Sequence, residues 1–109
     1  MSGTFEKREK GYEAKYAHDE EIAFKARIRR AKLLGVWAAE LLGLAGDDAN
    51  SYAREAINAE IEGGEEGLLS KVHGDLEGKN VDRSEHQVRR ELEEQLEVAK
   101  TQVLNEEGR

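Results

Sequence analysis

Cysteine and proline are both absent from this chain of 109 residues, and aromatic residues number only six. Without cysteine there can be no disulfide, no thiolate metal site and no cysteine nucleophile. That composition suits a reducing compartment. No strand-like alternation runs beyond a few positions, and β-branched residues are scarce. The longest apolar run, LLGVWAAELLGLA at 33–45, is too short to span a membrane and contains Glu40. The start, MSGTFEKREKGYE, has no apolar stretch after its basic residues, so no signal peptide is expected. The phosphate-loop pattern GxxxxGK[ST] is missing, and Gly35, Gly43 and Gly46 do not reproduce its spacing.

What the chain has in quantity is charge. Charged residues make up 38% of it, with a net charge of −7, which argues against nucleic acid as the general partner. The charge is unevenly spread. Residues 1–32 carry nine Lys/Arg against six Asp/Glu, whereas 33–109 carry eight against eighteen. A basic beginning and an acidic remainder meet different surroundings. By length the chain is one domain, able to bury roughly 60–70% of the surface its unfolded state exposes.

Glycine punctuates the helical segments. The first segment, about 17–43, carries Phe24, Ile28, Ala31, Leu34, Ala38, Leu41 and Leu42 at three-and-four spacing, widened by Leu33, Val36 and Trp37. A second begins at Asp47 or Asp48 as N-cap and places Tyr52, Ala53, Ala56, Ile57 and Ile61 on one face before Gly63-Gly64. A third, about 65–77, has Leu68, Leu69, Val72 and Leu76 in helical register and closes at Gly78. The last opens with a capping box, either Asp82 with Glu85 or Ser84 with Gln87, and buries Val88, Leu92, Leu96, Ala99 and Val103. Four amphipathic segments with short connections predict an all-α four-helix bundle.

Ahead of the bundle lies FEKREKGYEAKY, residues 5–16. It holds Phe5, Tyr12 and Tyr16, half of the chain's aromatics, among positions that are mostly charged. On a helix the three share one side. Gly11 interrupts them, and so short a helix is marginal alone in water. The segment therefore reads as a flexible, partly helical arm, 1–18, attached to a bundle domain, 19–107. Its aromatics serve either as loose packing on the bundle or as anchors that fold onto a partner.

Two stretches carry a family resemblance: REKGYEAKYAHDEE at 8–21 and KARIRRAKLLGVWAAELLGLAGDDANSYAREAI at 25–57. With them the chain resembles the zeta subunit of alphaproteobacterial F-type ATP synthases. Ala31 stands where the family commonly has Asn, and Ile28 where it has Ala. The match loosens from Lys71 on.

The resemblance implies a four-helix bundle with a mobile arm, and inhibition of ATP hydrolysis by the synthase's catalytic head. It implies that the arm wedges between an alpha/beta pair and the central shaft. Phe5, Tyr12 and Tyr16 would anchor it, with Arg8 and Lys15 facing carboxylates there. It also implies weak, non-catalytic binding of ATP or ADP, with Arg27, Arg30 and Lys32 as phosphate contacts. The protein would then be cytoplasmic, peripheral on the inner-membrane synthase, and not inserted in the membrane.

No catalytic residues, metal site or cofactor are expected. His18, His73 and His86 lack ligand spacing with Asp or Glu, and no base, nucleophile and pocket converge. The rival reading is a small acidic helical adaptor for which the arm is dispensable.

Overall fold

The computed structural model describes the backbone of residues 2–107 and the side chains of residues 18–107. These residues form three helices and no strand: α1 Ser2–Leu41, α2 Gly46–Gly78 and α3 Glu85–Glu107. The fold is all-α, as the periodicity implies. The expected four-helix bundle is corrected to three helices, because the second and third segments run together as α2. The reason is Gly64. Its backbone leaves helical geometry at φ 67° and ψ −161°, and no loop is inserted on either side. Only glycine reaches that region at little cost.

The bend at Gly64 folds α2 back on itself. Tyr52 donates its hydroxyl hydrogen to Asp75 at 2.8 Å. In a straight helix those residues would stand roughly 34 Å apart, at 1.5 Å per residue. Lys71 completes the tie, reaching Asp75 at 3.1 Å and Glu55 at 3.3 Å while standing 5.0 Å from the centre of the Tyr52 ring. Tyr52 is 4% exposed, and burial followed by the Asp75 carboxylate pushes its phenol well above the usual range.

Each turn is closed by a recognisable device. At the end of α1 the amide of Leu44 bonds the Ala39 carbonyl and that of Gly43 bonds Glu40. This is a Schellman motif with Gly43 left-handed at φ 77°. The same pair of bonds ends α2, from Val81 to Leu76 and from Asn80 to Glu77. There the left-handed residue is Asn80, at φ 59°, and not the expected Gly78. Leu44 and Val81, just past the two helix ends, fold back onto the core. α3 opens with the Ser84–Gln87 capping box: the Ser84 amide bonds Gln87 at 2.8 Å, and the Gln87 amide bonds Ser84 at 3.1 Å. The N-cap of α2 is Ala45 without a side-chain bond, so the expectation for Asp47 or Asp48 is corrected. Both instead stand in the first turn, where their charge complements the helix dipole.

α1 is the spine, with α2 and α3 both lying along it and touching each other less. Ala31, Leu34, Ala38 and Ala39 of α1 meet Tyr52, Ala56, Leu68, Leu69, Val72 and Leu76 of α2 and Val88 and Leu92 of α3. The small residues permit a close crossing. A Cβ on Gly35 would lie 2.9 Å from both the Cα of Ala53 and the Cβ of Ala56. The core's larger members are leucine and valine, each contributing about 1.5–3 kcal/mol on burial. Trp37, Leu41 and Leu42 are half-buried against it. Three expected core residues lie outside: Phe24 is 52% exposed, Val36 45% and Ile61 62%. Phe24 and Ile61 sit at the open end, beyond the close crossing.

Candidate functional site

Five of the expected site residues, Phe5, Arg8, Tyr12, Lys15 and Tyr16, have side chains that lie outside the described residues. Their backbone belongs to α1, so arm and domain share one helix across the junction at 18/19. The other three, Arg27, Arg30 and Lys32, belong to the basic stretch 25–32, whose cations point to different neighbours.

Most of that stretch binds the chain's own acidic helices. Lys25 bridges to Glu21 at 3.2 Å and to Glu107 at the end of α3. The Glu107 carboxylate, seconded by Glu21, holds the Lys25 ammonium above its ordinary pKa, and Lys25 in turn holds Glu107 below the usual carboxylate value. Arg29 donates to Gln102 at 2.9 Å and reaches Glu106 at 2.8 Å. Together they fasten the last turns of α3 to α1. Lys32 is exposed and lines a different cavity from Arg27. The three expected phosphate contacts therefore do not converge: Arg27 and Arg30 line one cavity, and Lys32 another.

Arg30 has the most distinctive environment. It is 5% exposed and pairs at 2.8 Å with Glu60, itself 6% exposed. Its second terminal nitrogen reaches Glu65, past the Gly64 bend, at 3.3 Å. Arg30 thus grips α2 on both sides of the bend. Two atoms in the pair stay without a hydrogen-bond partner, Arg30 Nε and Glu60 Oε2. Beside them opens a cavity of about 540 Å³ whose apolar walls include Phe24, Ile28 and Ile61. Arg27 lies at its edge, 5.9 Å from the centre of the Phe24 ring. The site holds charges in fixed pairs and presents apolar surface around them. That arrangement suits binding. Among the described residues no group of three or more His, Asp or Glu is placed to hold a metal ion.

Glu60, Glu65 and Gly35 were not singled out as site or crossing residues by the sequence. Glu60 and Arg30 are thirty positions apart, a separation that no local spacing rule connects. Gly35, a lone glycine within the mostly apolar run LLGVWAAELL, was the one available signal for a close helix crossing.

Comparison with known proteins gives a consistent result. A family described as ATPase inhibitor subunit zeta matches residues 1–102. A structure solved by solution NMR is similar, at 49% identity over 76% of this chain and 95% of that one, with a TM-score of 0.66. No curated protein matches.

Proposed function

Because the chain belongs to the family of ATPase inhibitor subunit zeta, we propose that it inhibits ATP hydrolysis by the F-type ATP synthase. It is regulatory, with its N-terminal arm as the inhibitory element. The observation that carries this reading is the span of the family match, which begins at residue 1 and so includes the arm.

The mechanism is coupled folding and binding. Fixing a dozen arm residues costs on the order of 1–2 kcal/mol each in backbone entropy. Burying Phe5, Tyr12 and Tyr16 returns roughly 1.5–3 kcal/mol apiece, which falls short. Helical hydrogen bonds and charge pairs make up the difference, with Arg8 and Lys15 directed to carboxylates of the target. The target is the catalytic head, where the arm wedges between an alpha/beta pair and the central shaft. Once folded on its target, the wedge continues into α1, the spine of the domain. No helix among the described residues is long and apolar enough to cross a membrane, which fits a peripheral position on the synthase.

The experiment is hydrolysis by the isolated cognate head with and without added protein. A saturable fall in ATP turnover supports inhibition. Unchanged turnover at saturating protein, with binding intact, would leave the adaptor reading in its place.

A second reading concerns a nucleotide phosphate. Arg27 makes no ion pair among the described residues, whereas Arg30 is engaged by Glu60 and Glu65. An ATP titration followed through amide shifts tests it. Saturable shifts across residues 27–32 support weak binding, and their absence removes it.

A further inference from the structure

We infer that the apolar groove between α1 and α3 is a second docking surface, shaped for an acidic amphipathic helix of the same partner that takes the arm. This rests on the arm reading above. The groove lies at the open end of the domain and encloses about 390 Å³. Ile22, Ala23 and Ala26 of α1 form one wall, and Leu96 and Leu104 of α3 the other. Leu104 is 54% exposed, so a large apolar side chain is left to solvent at the mouth. Contiguous apolar surface of this kind, rimmed by charge, marks contact sites in soluble proteins.

Register ties the groove to the arm. Positions 5, 12, 16 and 23 follow one another by seven, four and seven residues, close to whole turns of a helix. The aromatic positions and Ala23 therefore share one line along α1. Because α1 is continuous through the junction, a partner following that line arrives at the groove without changing direction.

Charge narrows the occupant. The rim carries Arg27 and Lys100, with Asp19 as its one carboxylate. Arg27 has no ion pair among the described residues, and Lys100 reaches only Glu97 of its own helix, at 3.6 Å. Counting the buried Arg30, three of the four charged residues that line the groove are cations, in a chain of net charge −7. The acidic end of α3 does not neutralise them, because Glu106 and Glu107 are held by Arg29 and Lys25. An apolar stripe edged by carboxylates is the complement, seated as a helix in a groove.

The test measures affinity for the isolated cognate head with the full chain, Leu104→Glu, Lys100→Glu and a form lacking residues 2–18. Thermal melts check that each is folded. Leu104→Glu and Lys100→Glu are expected to weaken binding, the first by about tenfold. Parent-like affinity of both variants overturns the groove. If Leu104→Glu lowers the melting temperature, Lys100→Glu decides, since that side chain is exposed. Full inhibition by the truncated form would remove the arm reading and leave the groove to be judged by the two variants alone. A chain that fails to bind the head overturns both.

Discussion

Replacing Glu60 with leucine would leave Arg30 buried without its closest partner. The native pair is 2.8 Å apart, with side chains only 6% and 5% exposed. Removing one member of such a pair costs about 3–5 kcal/mol, because the remaining charge stays out of water. Glu65 lies 3.3 Å from the other terminal nitrogen and retains part of the interaction. The expected loss is therefore about 2–4 kcal/mol, toward the lower part of that range. For a domain of this size each kcal/mol shifts the melting temperature by roughly 4–8 °C, so a fall of about 10 °C or more should follow. The double variant Arg30→Met, Glu60→Leu removes both charges together with the two unpartnered atoms. It should recover most of the loss, since apolar replacement of a whole buried pair is often neutral or better. Urea denaturation of the parent, both single variants and the double variant closes the cycle. Additive single effects, or Glu60→Leu as stable as the parent, would refute the argument that the pair is coupled.

Three further outcomes follow from the geometry. Gly35→Ala should destabilise by about 1–2 kcal/mol in urea denaturation, because overpacking against the Ala53 backbone outweighs alanine's better helix propensity. Ser84→Ala should cost about 1 kcal/mol, and Gln87→Ala less, with the double variant falling short of their sum, since each side chain caps the other's amide. Arg89 holds the Glu66 carboxyl below its ordinary 4.5, and Lys25 does the same for Glu107. A lowered folded value means their contribution is full above pH 4.5 and lost as acid titrates them. Glu66→Gln with Glu107→Gln should therefore flatten the fall of stability below pH 4.5, measured by denaturation across pH.

Local chemistry was the part of the fold that the sequence disclosed. Leu68, Leu69, Val72 and Leu76 are all buried in their predicted register, despite Gly67 and Gly74 within the segment. Tertiary packing supplies what propensity withholds there. The Ser84–Gln87 box was one of two offered, and both of its bonds form. What periodicity could not disclose is how far a neighbouring helix covers a face. Phe24 and Ile61 continue the apolar pattern of their helices past the point where coverage ends. Nor could a Gly-Gly pair show whether it joins two helices through a loop or bends one. The positive φ at Gly64 makes it a bend, which the long-range ties Tyr52–Asp75 and Arg30–Glu65 accompany. The basic stretch was legible as charge but not as partnership. Its roles emerge only when Glu60, Glu106 and Glu107 arrive from distant parts of the chain.

The central claim is that the first eighteen residues are the part that stops the motor. Removing residues 2–18 and assaying ATP hydrolysis by the cognate head tests it most directly. The account predicts a truncated protein that melts cooperatively, near the parent's temperature, and leaves turnover uninhibited at any concentration. Inhibition equal to the full chain's by that folded, armless protein would contradict it.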